Sequence, residues 1–274
     1  MASKYVTYKG INVHYEISGK GLPVVLLPGF AETQKIWQEQ KEILKDRFMV
    51  ITPDIPGSGK SSAFTHSVAT MDDYAHAIQK IIEAEKIDRL VMIGHSMGGY
   101  IALAYLALFP SSLTGIGFFH STAYADNAEK KVLRKKAIDF IEKNGGESFL
   151  QTSLPGLFHQ PDHHLDSIQT ILRDAETIDK STLIQYYRAM MDRPDRTHLL
   201  KNTEIPVLYI AGLHDQATPC MHAVQQSVLP YFSEIHILRA SGHMGMIEEP
   251  TASAQILSKF LDGSERRSGQ AFVF

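Results

Sequence analysis

The sequence lacks several features that would place it in a class at once. Its 274 residues include one cysteine, Cys220, so no intramolecular disulfide can form. A chain of this length buries roughly three quarters of the surface that its unfolded state exposes, so it needs neither disulfides nor metals for stability. A single cysteine fits a reducing compartment, and no apolar leader follows a basic start. We expect a cytoplasmic protein in which Cys220 is a packing residue.

Charge of one sign and long apolar runs are also scarce. The formal net charge is −3, and the basic residues at 130–136 are interrupted by Val132 and Leu133, which is typical of a solvated helix face. Nucleic-acid binding would need a clustered basic surface, and a spanning helix would need about 18 or more consecutive apolar residues. We therefore expect small-molecule substrates and neither nucleic acid nor membrane as partners. The sequence leaves a homodimer open.

What the sequence does contain is a regular alternation of short apolar runs and helical patterns. We predict strands at residues 5–8, 11–17, 24–27, 48–52, 90–93, 113–119, 207–211 and 234–238. Helices are expected at about 33–45, 71–86, 97–109, 220–229 and 250–262. Alternating strands and helices predict an α/β fold, with a mostly parallel eight-stranded sheet covered by helices on both faces.

One long segment interrupts this alternation. More than 80 residues separate the strand that ends near 119 from the strand that begins near 207, whereas a parallel crossover needs only a dozen or so. The segment contains helical patterns and proline-containing breaks. We predict a core of residues 1–120 and 201–262, an inserted helical cap (lid) at 121–200, and a polar tail at 263–274.

The motif Gly94-His95-Ser96-Met97-Gly98 is the strongest chemical signal. An apolar strand precedes it and a helical pattern follows, which is the setting of a nucleophile elbow that projects a serine hydroxyl away from the sheet. The Met97 N–H, in the first helical turn, can stabilise an oxyanion. We predict Ser96 as the nucleophile and Met97 as an oxyanion donor. A chance match to a five-residue pattern is the alternative.

A serine nucleophile needs a base and an acid that orients the base. The elbow requires the chain order serine, acid, histidine. Asp215 and His243 follow the ends of two predicted strands, where catalytic groups of open α/β sheets gather. We predict Asp215 as the acid and His243 as the base, with a helix-cap residue and a plain loop histidine as structural alternatives. Asp126, shortly after another strand end, stays open as the acid.

The loop after the strand at 24–27 is the expected source of the second oxyanion donor. Pro28-Gly29-Phe30 lies there, and Gly29 would let the backbone approach a substrate closely. We predict the Phe30 N–H as this donor, with an apolar cavity wall as its other role. Gly29, His95 and His120 are expected to contact substrate, and packing in the wall is the alternative for His120.

Over residues 11–262 the chain resembles the α/β-hydrolase fold family of Ser-His-Asp enzymes that carry a lid. The motifs that carry the resemblance are GHSMGG, LPGF, TPDIPGSGKSS, GLHDQATP and SGHMGMIEEP. The resemblance implies a serine hydrolase without cofactor, similar to esterases, lactonases, thioesterases, perhydrolases and C–C bond hydrolases. Many members have His-Gly before the oxyanion residue, where this chain has Pro28-Gly29.

Two other patterns suggest different chemistry and are set aside. His159, Asp162, His163 and His164 form the densest group of metal-ligand types, but a proline breaks this segment. Since a metal site needs ligands that converge from fixed positions, we expect a surface here and no metal site. In DIPGSGKSS, Asp54 stands where a phosphate-binding loop needs its first glycine.

Hydrolysis of a small carboxylic ester or lactone through an acyl-enzyme is the leading functional hypothesis. C–C bond cleavage and perhydrolysis are alternatives on the same fold, although C–C hydrolases often have asparagine where this chain has His95. A non-catalytic ligand-binding module is the alternative from another class. It predicts that a triad member is missing, and none is.

Overall fold

The computed structural model describes residues 2–66, 68–201 and 203–268, and its centre is one eight-stranded sheet. The strands are β1 (Ala2–Tyr8), β2 (Ile11–Ser18), β3 (Pro23–Leu27), β4 (Met49–Pro53), β5 (Leu90–His95), β6 (Leu113–Phe119), β7 (Val207–Gly212) and β8 (Ser233–Leu238). Their order across the sheet is β1-β2-β4-β3-β5-β6-β7-β8. The pairs β1–β2 and β2–β4 are antiparallel, and the other neighbours are parallel. The predicted mostly parallel sheet is confirmed.

Eleven α-helices accompany the sheet in the described ranges. They are α1 (Gln38–Leu44), α2 (Met71–Ala84), α3 (Met97–Leu108), α4 (Ala128–Asn144), α5 (Gly146–Ser153), α6 (Leu165–Ala175), α7 (Lys180–Asp192), α8 (Thr197–Lys201), α9 (Cys220–Gln226), α10 (Gly245–Glu248) and α11 (Pro250–Ser268). Local sequence sets several starts: Thr70 and Asp73 form a capping box at α2, and the Asn127 side chain caps α4.

The central strands are apolar along their whole length because helices cover both faces of the sheet. Every residue of β5, β6 and β7 is buried, as expected for parallel strands between two helical layers. Successive side chains enter different cores, since Val24 and Leu26 pack with α1 and α11, whereas Val25 and Leu27 pack with α2 and α3.

Several boundaries differ from the sequence prediction, and three of them change an element's type or length appreciably. The helix expected from residue 33 begins with a 3-10 turn, Gln34–Trp37, before α1. The helix expected to continue to 229 ends at Gln226. The predicted tail from 263 is wrong for 263–268, because α11 continues through Ser268. The remaining tail residues, 269–274, lie outside the described residues.

Helices α4 to α8 all lie in the segment between β6 and β7. That this segment forms a separate cap stays a prediction. We call residues 121–200 the insertion. Because β6 and β5 are parallel neighbours, the insertion begins at the sheet edge where β5 ends. Within the described ranges, no helix has the length and apolarity that a bilayer crossing requires.

Candidate active site

Ser96 lies in a strained turn between β5 and α3. Its backbone has φ 50° and ψ −115°, a region that serine rarely adopts and that commonly marks functional sites. The turn is held by two bonds, from the Ser96 N–H to the Phe119 carbonyl and from the Ser121 hydroxyl to the Ser96 carbonyl. Among residues 91–100, Ser96 alone is not fully buried. The turn therefore presents this hydroxyl to the space above the sheet.

Glycines on both sides of Ser96 make this turn possible. A Cβ on Gly94 would lie 2.2 Å from the backbone of Gly98. A Cβ on Gly98 would lie 2.6 Å from the carbonyl oxygens of Leu27 and Pro28. Backbone atoms cannot yield at these distances, so the end of β5, the start of α3 and the loop after β3 meet only where side chains are absent. This is the physical reason for the spacing in the motif.

His243 and Asp215 form a buried hydrogen-bonded pair. His243 Nδ1 lies 2.8 Å from Asp215 Oδ2, and both side chains are almost completely buried. Asp215 Oδ1 accepts from the N–H groups of Ala217 and Thr218. Burial alone would raise the pKa of Asp215, but His243 and His120 hold it well below its usual range. Asp215 is therefore an anion that orients the His243 ring.

The backbone of His243 is fixed from two directions. Its N–H donates to the carbonyl of Leu157, a residue of the insertion. Its carbonyl accepts from His95 Nε2 at 2.9 Å. His243 and Ser96 line the same cavity, although no hydrogen bond joins their side chains in the described structure. Catalytic hydrogen bonds of this kind often form only when substrate is bound.

Sequence reasoning missed Glu32, which lies directly behind Ser96. Glu32 Oε2 accepts from the Gly29 N–H and lies 2.9 Å from His95 Nδ1. Burial would lower the pKa of His95, but the Glu32 carboxylate and the His243 carbonyl raise it above its ordinary value. Glu32 and His95 thus connect the loop after β3 to the backbone of His243. The only signal in the sequence was an acidic residue three positions after Gly29.

The two amides predicted to stabilise an oxyanion have no competing acceptor. Within the described residues, neither the Phe30 N–H nor the Met97 N–H donates to a protein atom. Met97 begins α3, so its N–H has no partner inside the helix. Phe30 lies on the wall of the cavity that contains Ser96. Both donors remain available to a ligand.

The cavity above Ser96 has a volume of about 230 Å³, so it suits a small ligand. We call it the Ser96 cavity. Core residues that line it include Phe30, Glu32, Ser96, Tyr100, Thr218 and His243. Most of its other walls come from the insertion, including Lys130, Leu133, Arg134, Phe149, Tyr187 and Met190. The largely apolar insertion therefore encloses the nucleophile.

Gly29, His95 and His120 do not line the Ser96 cavity, and their contact with substrate stays a prediction. His95 is 0% exposed because it bonds to Glu32 and His243. Gly29 lies against Glu32, His95 and Ser96, where a Cβ would come within 3.1 Å of Ser96 Cβ.

His120 instead lies beside the acid. Its Nδ1 is 3.2 Å from Asp215 Oδ2 and 3.1 Å from the Gly212 nitrogen. Burial lowers the pKa of His120 to about 4, against the opposing effect of Asp215. His120 is therefore neutral near pH 7, and its Nε2 is buried without a partner.

Asp126, the alternative acid, is engaged elsewhere. Its carboxylate accepts from Arg134 Nε and from Arg193 Nη1. These guanidiniums lower its pKa, although burial opposes them. Since Asp215 is hydrogen-bonded to His243 and Asp126 is not, the geometry favours Asp215. The same ion pairs correct the expectation of a solvated face for Arg134, which is only 8% exposed, whereas residues 131–133, 135 and 136 are exposed.

Within the described residues, the ligand atoms of His159, Asp162, His163 and His164 do not converge as a group. Across the described ranges, the one converging group of metal-ligand types is His120, Asp215 and His243. Its nitrogen–oxygen distances of 2.8 and 3.2 Å are those of hydrogen bonds. In the glycine-containing loop, the buried Asp54 carboxylate accepts from the Lys60 N–H and fills the space beside Gly59.

Comparisons with known proteins agree on one family. The family model described as alpha/beta hydrolase fold matches residues 23–136. A proline iminopeptidase from Heyndrickxia coagulans is 27% identical over 273 aligned residues, which cover 90% of this chain and 93% of that protein. The structure of a thermophilic esterase from Thermogutta terrifontis has a TM-score of 0.89 at 26% identity, covering 96% of this chain and 99% of that one.

An enol-lactonase from Burkholderia xenovorans LB400 has a TM-score of 0.86 at 22% identity, with 94% of this chain and 100% of that chain covered, which shows likeness of fold. These likenesses extend over nearly the whole chain and agree with the sheet order and the β5–α3 turn described above. The chain therefore has the α/β-hydrolase fold and is similar over most of its length to hydrolases of that fold.

Proposed function

We propose that this protein is a serine hydrolase that cleaves a small carboxylic ester or lactone through an acyl-enzyme. The observation that carries the proposal is the arrangement of three side chains around one cavity. Ser96, in a strained turn, shares a cavity with His243, and His243 is oriented by the buried Asp215 at 2.8 Å. Two unengaged amide donors lie beside this cavity, as acyl transfer requires.

In the proposed mechanism, His243 Nε2 takes the proton of Ser96 as Oγ attacks the substrate carbonyl carbon. The Phe30 and Met97 amides hold the resulting oxyanion, and losing one such donor typically costs about 10²–10³ in rate. The intermediate then expels the alkoxide, which takes the proton from His243, and leaves an ester on Ser96. Water, deprotonated by His243, attacks this ester and releases the acid.

The surroundings of His243 support this role. Its Nδ1 proton points to Asp215, so Nε2 carries the lone pair that a general base needs. The Leu157 and His95 contacts fix the backbone on both sides of the ring. His120, neutral at pH 7, shares the same carboxylate oxygen without adding a charge.

A lactone or a short ester suits the Ser96 cavity best. Its volume, about 230 Å³, is below the range of about 300–1,000 Å³ usual for drug-sized ligands. We propose that the insertion acts as a cap that selects substrates, because it supplies most of the cavity wall. A cytoplasmic location and the oligomeric state stay predictions.

No observation favours the alternatives. In place of the asparagine common in C–C hydrolases, His95 is buried and bonded to Glu32 and His243. Perhydrolysis would use the same nucleophile and base, so a peroxide assay distinguishes it. A non-catalytic binding module fits poorly, since the relatives named above are enzymes.

Substitution of Ser96 by alanine tests the proposal. We expect Ser96→Ala to abolish both p-nitrophenyl acetate turnover and covalent labelling by a fluorophosphonate probe, because both need Oγ. The control is Ser181→Ala, at an exposed position of α7. Wild-type turnover or labelling in a folded Ser96→Ala protein would refute the assignment of the nucleophile.

A further inference from the structure

One face of α4 places two cations on the wall of the Ser96 cavity. Lys130, Leu133, Arg134 and Ala137 all line it, and their spacing of three, four and seven residues puts them on one helix face. Lys130 and Arg134 are therefore neighbours, one helical turn apart. The other residues of this face are apolar, so the two cations stand out on it.

Arg134 is buried, yet the protein uses only part of its hydrogen-bonding capacity. A guanidinium has five N–H donors. Arg134 Nε and Nη2 donate to Asp126, the latter at 3.4 Å, and Nη1 donates to the sulfur of Met190 at 3.2 Å. The described residues offer no acceptor for the other two N–H groups, one on each terminal nitrogen. Two such donors match the two oxygens of a carboxylate.

The charges around Arg134 do not balance. Asp126 is shared between Arg134 and Arg193, so one carboxylate faces two guanidiniums. Arg193 is otherwise satisfied by the Met190 and Tyr124 carbonyls and by the ring of Tyr100 at 3.7 Å. Excess buried positive charge is unfavourable unless an anion accompanies it.

Acidic groups elsewhere in the Ser96 cavity are already committed. Glu32 is the carboxylate among the cavity-lining residues, and it bonds to Gly29 and His95. The Lys130 ammonium donates to the Ala217 carbonyl, a neutral acceptor. The wall formed by α4 therefore keeps an excess of positive charge that no lining side chain neutralises.

We propose that the substrate of this hydrolase carries a carboxylate that binds Arg134, with Lys130 beside it. Arg134 lies 5.6 Å from the ring centre of Tyr187, which in turn packs 4.5 Å from the ring of Phe30. One aromatic ring thus separates the cation from the proposed oxyanion loop. Tyr100, which also lines the cavity, is one turn beyond Ser96 on α3. A substrate of a few carbons spans the gap between Arg134 and the proposed oxyanion loop.

This inference rests on the proposed function and narrows its substrate to anionic esters or lactones. The test compares kcat/KM for two pairs of nearly isosteric esters, assayed by titration of released acid. One pair carries the charge on the acyl side: monoethyl adipate and ethyl 6-methylheptanoate. The other carries it on the alcohol side: the acetate esters of 6-hydroxyhexanoate and of 6-methylheptan-1-ol. We expect wild type to prefer the charged member of at least one pair by roughly 10- to 100-fold, as for a hydrogen bond to a charged group.

Variants then assign the preference to Arg134. Arg134→Met should lower kcat/KM for the charged ester at least tenfold more than for its neutral partner. Arg134→Lys should retain part of the preference, because it keeps the charge and loses the paired donors. Lys135→Met is the matched control: it removes one positive charge from an exposed position next in the chain, and the preference should not change.

The outcomes separate this inference from the proposed function. Hydrolysis of neutral esters without a preference for either charged ester would overturn the carboxylate site and leave the serine hydrolase intact. A preference that Arg134→Met leaves unchanged would also overturn it. If Arg134→Met does not fold, the wild-type comparison and Arg134→Lys decide. Absence of both ester turnover and fluorophosphonate labelling would overturn the proposed function itself.

Discussion

Replacing Glu32 by glutamine tests the buried connection behind Ser96. In the wild type one carboxylate oxygen accepts from both the Gly29 N–H and His95 Nδ1. His95 Nε2 donates to the His243 carbonyl, so an Nδ1 proton makes the ring a cation. Glutamine has the same shape but cannot meet both demands. With its oxygen at the position of Glu32 Oε2, it would face an imidazolium that has lost its counter-ion. With its NH₂ at that position, a donor would face both the Gly29 N–H and the His95 Nδ1 proton.

Either arrangement leaves one buried group unsatisfied. A buried donor without an acceptor costs about 1–3 kcal/mol, so Glu32→Gln should reduce the free energy of unfolding by about that amount. Glu32→Ala removes the partner completely and should cost about 3–5 kcal/mol. Against a total stability of about 5–15 kcal/mol, both losses are measurable. The control is Glu39→Gln, at an exposed position in α1. It should change the free energy of unfolding by less than about 0.5 kcal/mol.

The pH dependence of the free energy of unfolding distinguishes a Glu32–His95 ion pair from simple packing. The pKa of His95 is raised in the folded state, so its stabilising contribution is complete below the unfolded value of about 6.5. It is lost as pH rises through the folded value. Urea unfolding of the two proteins should therefore show a larger difference at pH 6 than at pH 9. An equal difference at both pH values would refute the ion pair.

Glu32→Gln should also affect turnover of a neutral ester. Because Glu32 holds Gly29, and Phe30 follows it, a misplaced loop weakens binding of the transition state more than binding of the ground state. We expect kcat to fall with little change in KM. Glu32 would act as a positioning residue through the loop and His95. A variant with wild-type kcat would show that the loop does not depend on Glu32.

Two further predictions concern the groups around His243. Asp215→Asn should lower kcat for p-nitrophenyl acetate by roughly 10³–10⁴, because His243 would adopt the wrong tautomer. Asp126→Asn should lower kcat far less. A larger loss of kcat for Asp126→Asn than for Asp215→Asn would reverse the assignment of the acid. The pKa of His120 is about 4 in the folded protein and about 6.5 when unfolded, so stability should be lost as pH falls from 6.5 through 4, by roughly 3 kcal/mol. Urea unfolding at pH 7 and 4.5 should show a smaller acid loss for His120→Asn than for wild type, and equal losses would contradict the buried neutral state.

The sheet and the positions of Ser96, Asp215 and His243 could be predicted because short-range patterns in the sequence specify them. Apolar runs of strand length place Ser96, Asp215 and His243 each just beyond a strand. Parallel strands bring their carboxyl ends to one edge, so sequence-distant residues meet without any knowledge of contacts. The end of α11 was misjudged for the opposite reason. Its polar composition suggested a tail, yet Ser264 is buried and its hydroxyl bonds to the Phe260 carbonyl.

The supporting residues could not be predicted because their roles depend on tertiary contacts. The Glu32 carboxylate reaches back to the Gly29 N–H where Ala31, between them, adopts φ 57°. No local sequence pattern predicts this backbone conformation. His95 and His120 carry polar rings next to the site, and proximity alone suggested substrate contact. Their ring nitrogens are directed at Glu32, the His243 carbonyl and Asp215 instead. Arg134 looked like part of a solvated face until Asp126 and the cavity were located.

The insertion contacts both the Ser96 cavity and the proposed base, so we expect that changes to it affect binding and chemistry together. It lines most of the Ser96 cavity, and the Leu157 carbonyl accepts from the His243 N–H. Glu248 bonds to the N–H groups of His159 and Gly242, which joins the insertion to the loop of the base. A shortened insertion that lacks the segment around 157–159 would free the backbone of His243 as well as open the cavity. Changes in substrate range are therefore better sought at Arg134 and at apolar wall residues other than Leu157, which line the cavity without a hydrogen bond to the base.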